Sequence, residues 1–174
     1  DYSGITFNEE TGEIISGVLK SVTKRATGTT KSVSSVTYSA GKMTVSASIN
    51  YAVDQTVTST SSVDYSGITF NEETGEIISG VLKSVTKRAT GTTKSVSSVT
   101  YSAGKMTVSA SINYAVDQTV TSTSSVDYSG ITFNEETGEI ISGVLKSVTK
   151  RATGTTKSVS SVTYSAGKMT VSAS

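Results

Sequence analysis

Three acidic side chains lie close together near the start of the chain, at Glu9, Glu10 and Glu13. Carboxylates at this spacing could bind calcium beside a turn, or could act as an acid–base pair in sugar hydrolysis. The segment lacks the alternating Asp/Asn positions of a calcium loop, and neighbouring residues of a hairpin rarely face each other across a cleft. We therefore interpret the three acids as a solvated turn.

A basic cluster follows the acids, formed by Lys20, Lys24, Arg25 and Lys31. Such a cluster could bind anionic glycans, or could pair with the acids of a neighbouring segment. Nucleic-acid binding is disfavoured because no aromatic residues are interleaved with the bases. A solvated face is the favoured interpretation, with a salt bridge between neighbouring units as the main alternative.

Aromatic and amide side chains offer two further possibilities. Tyr2, Tyr38 and Tyr51 could form a sugar-binding platform, although such residues more often lie at core edges with their hydroxyls in water. Asn50 or Asp54 could form an isopeptide crosslink with a lysine, but nothing in the sequence positions the partners.

Most enzyme chemistry is excluded by composition. The chain has no His and no Cys, which removes Ser-His and Cys-His catalysis, the common zinc sites and disulfides. It also lacks a phosphate-binding glycine loop and a dinucleotide fingerprint. We expect no enzyme activity, no catalytic, cofactor-binding or metal-binding residues, and no cofactor.

The elements that carry these residues recur at a fixed period of 63 residues. Residues 1–63 form the first repeat, residues 64–126 the second, and residues 127–174 a third that lacks the last 15 positions. No substitution separates the copies. Identity this complete favours a property that grows with copy number, such as length, multivalent attachment or self-assembly. We expect the chain to be a window onto a longer array, natural or designed.

The charge and the size of one repeat indicate how the repeats depend on one another. A whole repeat carries five acids and five bases, so the net charge of +1 arises because the third copy is shorter. Neutral repeats repel each other little, which is compatible with lateral packing. A unit of 63 residues without disulfides is near the lower limit for an independent core. We expect it to stack on its neighbours or to borrow a strand from the next unit.

Hydrophobic patterning predicts strands. Five to seven short strands are expected in the first repeat, among them Ile5–Phe7, a segment from Glu13 to Val22, Val33–Ser39, Met43–Val53 and Thr56–Val63. The clearest, Met43–Val53, alternates apolar and polar residues at period two, which is typical of a strand with one buried face. Residues 13–26 could instead form a helix, although Gly17 and several β-branched residues oppose it. The predicted fold class is all-β, with tandem small β-sandwich repeats that could exchange strands; the alternative is an α+β repeat with a helix over residues 13–26.

Two stretches of the first repeat, YSGITFN at 2–8 and TGEIISG at 11–17, resemble the hairpin "GLTFN…TG.ISG" of one family of bacterial immunoglobulin-like repeat domains. Those domains occur in tandem in surface adhesins and extracellular fibres. The family is usually longer, carries a proline before the hairpin, and has a different step where this chain reads GVLKS. The resemblance implies an Ig-like spacer module and brings no catalytic residues.

We therefore expect a structural repeat protein that forms or extends an extracellular fibre, stalk or filament, at a cell surface or in a phage tail fibre. Its expected partner is itself, through head-to-tail repeats, with no nucleic acid and no membrane span. The alternatives are a multivalent adhesin that binds a host glycan or protein, and a designed or matrix-forming β-solenoid. Strands running along the fibre would add about 30 Å per repeat.

Overall fold

A computed structural model describes residue 2, residues 4–135 and residues 137–173. Asp1 and Ser3 of the first repeat, Glu136 and Ser174 lie outside the described residues. The described residues form fourteen strands and no helix. The predicted all-β class is confirmed, and the alternative helix over residues 13–26 is wrong because Ile14–Lys24 is a strand.

Each full repeat contributes one short strand and four long ones. The strands of the first repeat are β1 (Ile5–Phe7), β2 (Ile14–Lys24), β3 (Thr30–Ser39), β4 (Lys42–Tyr51) and β5 (Val57–Asp64). Those of the second are β6 (Ile68–Phe70), β7 (Ile77–Arg88), β8 (Thr93–Ser102), β9 (Lys105–Tyr114) and β10 (Val120–Asp127). Those of the third are β11 (Ile131–Phe133), β12 (Ile140–Arg151), β13 (Thr156–Ser165) and β14 (Lys168–Ala173).

The fourteen strands belong to one antiparallel sheet that is not closed. The long strands follow the order β2-β3-β4-β5-β7-β8-β9-β10-β12-β13-β14, and the short strands β1, β6 and β11 pair with β2, β7 and β12. The two facing sheets of a β-sandwich are not confirmed. The chain divides into two compact units, residues 1–68 with 82–96, and residues 69–81 with 97–174.

The strand at the repeat junction belongs to both repeats. β5 contains Val63, the last residue of the first copy, and Asp64, the first residue of the second. It pairs with β4 on one side, for example Ser46 with Val63, and with β7 on the other, for example Asp64 with Lys83. β10 lies in the same way between β9 and β12. The sheet therefore continues from one repeat into the next without a linker.

The register moves by a fixed step from one repeat to the next. One row of paired residues runs from Val18 through Thr37, Val45 and Asp64 to Lys83. The copy of Val18 in the second repeat is Val81, so the row advances by 83 − 81 = 2 residues per repeat. Because the step is even, equivalent residues of successive copies stay on the same face of the sheet.

Burial is shallow throughout the described residues. Among the described residues, Ile131 is the only buried side chain, with 9% of its surface exposed. The alternating residues of β4 were expected to cover a core, yet Val45 is 37% exposed and Ile49 is half-buried. Side chains here are covered mainly by their neighbours within the sheet.

Two places where the backbone has positive φ values explain how neighbouring strands are joined. β3 and β4 are joined by Ala40 and Gly41, which have φ values of 48° and 74°. Two consecutive positive φ values define the type I′ turn, whose twist matches that of the flanking strands. At the start of β2, Gly17 has a φ of 119° and pairs with Ile5, and an added Cβ would lie on the carbonyl of Gly4. Gly17 is therefore the point where β1 approaches β2.

Candidate functional site

An open groove of about 890 Å³ lies within the second compact unit, residues 69–81 with 97–174. It is lined by the start of β7, by the β8–β9 turn and by the hairpin end that follows β11. Its lining includes Glu76, Tyr101, Lys105, Met106, Phe133 and Glu135. The groove thus combines residues of the second and third repeats.

Backbone contacts fix the loops that border the groove. The N–H of Gly104 donates to the carbonyl of Ile78 at 2.6 Å, and the N–H of Asn134 donates to the carbonyl of Glu139 at 2.7 Å. The side-chain carbonyl of Asn134 accepts the N–H of Thr137 at 3.1 Å. These contacts hold the two loops in place within the second compact unit.

The groove has both apolar and charged walls. Tyr101 and Phe133 are half-buried in it. Lys105 Nζ lies 3.8 Å from Glu135 Oε1, with side-chain exposures of 44% and 88%. An ion pair this exposed contributes little to stability, so both groups can exchange this contact for a polar ligand. An aromatic wall beside polar groups suits a sugar or a peptide side chain.

The segment that carries Glu9, Glu10 and Glu13 is held as a turn by local hydrogen bonds. The side-chain carbonyl of Asn8 accepts the backbone N–H groups of Glu10 and Thr11 at 2.9 and 3.2 Å, and Thr11 Oγ1 donates to Glu13 Oε2 at 3.3 Å. Gly12 has a φ of 72°, as its place in this turn requires. Among the described residues no group of three or more acidic side chains could hold a metal ion.

The predicted basic cluster is divided between different roles. Arg25 donates to the backbone carbonyls of Thr30, at 2.5 Å, and Tyr51, so it joins the ends of β3 and β4. Lys20 and Lys24 lie on β2, where their Cα partners are Ser35 and Thr30. The structure therefore assigns Arg25 to the backbone of its own repeat, while Lys20 and Lys24 share one face of the sheet.

The three tyrosines do not form a common platform. Tyr38 pairs with Met43 near the β3–β4 turn, while Tyr51 pairs with Val57 at the opposite end of β4. Tyr2 is 64% exposed. Instead Tyr101, the copy of Tyr38, lines the groove with Phe133, the third-repeat copy of Phe7. Sequence reasoning missed Phe133 because its contribution requires two repeats to be paired.

Aspartates at the strand ends hold their own turns. The hydroxyl and the N–H of Thr56 donate to Asp54 Oδ1 at 2.6 and 3.0 Å, and hold the pKa of that carboxyl below its ordinary value of 3.8. Thr119 lowers the pKa of Asp117 in the same way. The pKa of Asp64 is lowered first by its hydrogen bonds with Ser66 and then by Lys83, its partner on β7.

Asn50 also has a structural role. Its amide donates to Ser59 Oγ at 3.2 Å on the neighbouring strand, and the side chain is exposed. This contact holds β4 and β5 together and offers no buried environment for a crosslink.

No protein-family model matches the chain, and no curated protein matches it. The described residues contain no helix that is long and apolar enough to cross a membrane. The fold and the groove define a class, an all-β repeat protein whose copies contribute strands to one open antiparallel sheet.

Proposed function

We propose that the chain is a structural repeat protein that forms or extends an extracellular fibre, stalk or filament, in which each repeat adds length. The observation that carries this proposal is β5, which holds residues of two successive repeats and pairs with β4 and β7 at once. A repeat that ends inside a shared strand cannot separate from the next one without breaking the sheet.

Three further features support the proposal. The copies are identical, so every junction can repeat the same pairing. The register advances by the same two residues from β5 to β7 and from β10 to β12, where Asp64 pairs with Lys83 and Asp127 with Lys146. A junction of this kind joins unlike ends of successive units and propagates without closing. The resemblance to immunoglobulin-like repeats supports an extracellular location.

The length that each repeat adds distinguishes this arrangement from separate units joined end to end. Four long strands side by side, each about 4.8 Å from the next, add about 19 Å per repeat across the strands. Units joined end to end with their strands along the axis would add about 30 Å.

Small-angle scattering from arrays of two, four and six repeats tests the proposal. We expect the longest dimension to grow linearly, by about 19 Å per repeat. Growth by about 30 Å would indicate separate units joined end to end. A compact particle whose longest dimension does not grow with repeat number would contradict a length-adding role.

A second function, multivalent adhesion to a glycan or protein, is favoured by one observation, the aromatic groove formed by two repeats. The test is a glycan array probed with the whole chain and with Tyr101→Ala. Tyr65→Ala, which alters a tyrosine outside the groove, is the matched control. Loss of a signal with Tyr101→Ala alone would support adhesion, and equal signals from all three proteins would contradict it.

A further inference from the structure

The two faces of the sheet differ in chemistry. In the paired rows of the first repeat, side chains alternate between the faces. The hydroxyl face carries Leu19, Val36, Ser46 and Val63 in one row, Ser21, Ser34, Ser48 and Ser61 in the next, and Thr23, Ser32, Asn50 and Ser59 in the third. The charged face carries Val18, Thr37, Val45 and Asp64, then Lys20, Ser35, Ala47 and Ser62, then Val22, Val33, Ile49 and Thr60.

Polar groups of the hydroxyl face already bond to one another across strands. Ser48 Oγ lies 2.7 Å from Ser61 Oγ, and the amide of Asn50 donates to Ser59 Oγ at 3.2 Å. The same pairs recur in the second repeat at 2.7 and 3.2 Å. Covering an unpaired hydroxyl is unfavourable, whereas a hydroxyl with a partner in its own sheet can lose water at a smaller cost.

The two faces also differ in charge. The three hydroxyl-face rows of the first repeat contain no charged residue, and where they continue into β7 they meet Ser84, Thr86 and Arg88. The Arg88 guanidinium donates to the carbonyl of Thr93 at 2.6 Å. The charged-face rows continue into Lys83, Val85 and Lys87 and already hold Lys20. Two copies meeting through the charged face would bring lysines together, which opposes association.

We propose that the hydroxyl face is a docking surface for a second copy of this chain, packed face to face. Leu19, Val36 and Val63 supply the apolar contact, and the small serine side chains let the two sheets approach closely. Because the register step is even, every added repeat presents the same hydroxyl face and enlarges the same surface. This inference rests on the proposed fibre function, in which face-to-face packing of two chains would bundle fibres laterally.

The area of this surface predicts a threshold in repeat number. Four strands about 4.8 Å apart, with six residues each at about 3.3 Å, present roughly 380 Å² of hydroxyl face per repeat. A stable protein–protein interface buries about 800 Å² on each partner. About two repeats are therefore needed, so arrays of two repeats should associate weakly and longer arrays with an affinity that rises with length.

Sedimentation analysis of arrays of two to six repeats tests the proposal, together with two variants of the 174-residue chain. One variant is Ser61→Lys with Ser124→Lys, which places charge on the hydroxyl face. The matched control is Ser62→Lys with Ser125→Lys, which changes the next residue of the same strands, on the charged face. We expect the first variant to weaken association at least tenfold and the control to leave it within about twofold.

Salt provides a measurement that needs no variant. Association through the hydroxyl face should change little between low and moderate sodium chloride, whereas association through the lysines of the charged face should strengthen as their repulsion is screened. The proposal is overturned if all arrays are monomeric, or if the control variant loses association while the first variant keeps it. In either case linear growth in the scattering series would still stand, so the fibre proposal is judged separately.

Discussion

Gly17 shows how one residue decides whether β1 can join the sheet. Its φ of 119° is accessible mainly to glycine, and an added Cβ would lie 2.9 Å from Ile5 Cα besides meeting the carbonyl of Gly4. We expect Gly17→Ala to destabilise the fold by about 2 kcal/mol, and more than Gly28→Ala. Gly28 also has a positive φ, 84°, but nothing lies within 4 Å of its would-be Cβ. Urea unfolding of both variants distinguishes the cost of steric overlap from the cost of backbone strain. Equal losses of unfolding free energy in the two variants would contradict the close approach of β1 to β2.

Ala40 identifies a strained position in the β3–β4 turn. The alanine has a φ of 48° here, and its copies Ala103 and Ala166 have 49° and 48°. A left-handed conformation costs an alanine about 1 kcal/mol, whereas asparagine tolerates it and Asn-Gly is the preferred type I′ pair. Ala40→Asn should therefore raise the free energy of unfolding by up to about 1 kcal/mol. Ala26→Asn, at a turn position whose own φ is not positive, is the control and should have little effect.

The carboxyl group of Asp54 makes the stability of the fold depend on pH. Because hydrogen bonds from Thr56 lower the pKa of its carboxyl, the carboxylate stabilises the fold above its unfolded pKa of 3.8, and this contribution is lost as pH falls through the lower folded value. Asp54→Asn keeps an oxygen that can accept from Thr56 but removes the titration. The variant should therefore show a smaller loss of unfolding midpoint between pH 5 and pH 2 than the parent, measured in urea at each pH. Identical pH profiles would show that the carboxylate does not contribute.

At the scale of the element, the strands were predictable and their arrangement was not. Local signals placed β1 at Ile5–Phe7, and predicted β3, β4 and β5 to within a few residues. Gly17 and the β-branched residues correctly favoured a strand for β2. Alternation in β4 suggested a buried face, but period two only requires that the two faces differ. The register step and the groove depend on pairing between residues distant in sequence, so no local pattern could indicate them.

The cover that β5 gives to its neighbouring strand is seen when the same residue is compared in the three repeats. Val45 and Val108 have β5 and β10 beside their strands and are 37% and 36% exposed, whereas Val171 on β14, which pairs with β13, is 58% exposed. A peptide with the sequence of residues 49–63, which contains β5, should add to β14 by backbone pairing. Hydrogen exchange should then show new protection at Ser172 and Ala173, whose copies Ser46 and Ala47 pair with Val63 and Ser62 of β5. A peptide carrying Ser61→Pro loses one backbone donor and should protect less; equal protection would contradict pairing.

For the whole molecule, stability should depend on the number of repeats. Shallow burial leaves each repeat dependent on pairing with the next, as at the β5–β7 ladder. In such an array the free energy of unfolding is approximately a sum of repeat terms and neighbour terms. We expect one repeat to be unfolded or marginal, and the urea midpoint to rise steeply from two repeats to three and then to level off.

Ser61→Pro in the first junction tests whether that coupling runs through β5. The proline removes a backbone N–H from a strand paired on both sides, and a proline in a central strand is strongly disfavoured. The three-copy chain should then unfold as a shorter array, with a lower midpoint and a smaller cooperative unit, while Ser61→Ala, which removes only the hydroxyl bonded to Ser48, should keep the single transition. If midpoints do not change with repeat number and Ser61→Pro unfolds like the parent, each repeat folds independently and the shared strand carries no coupling.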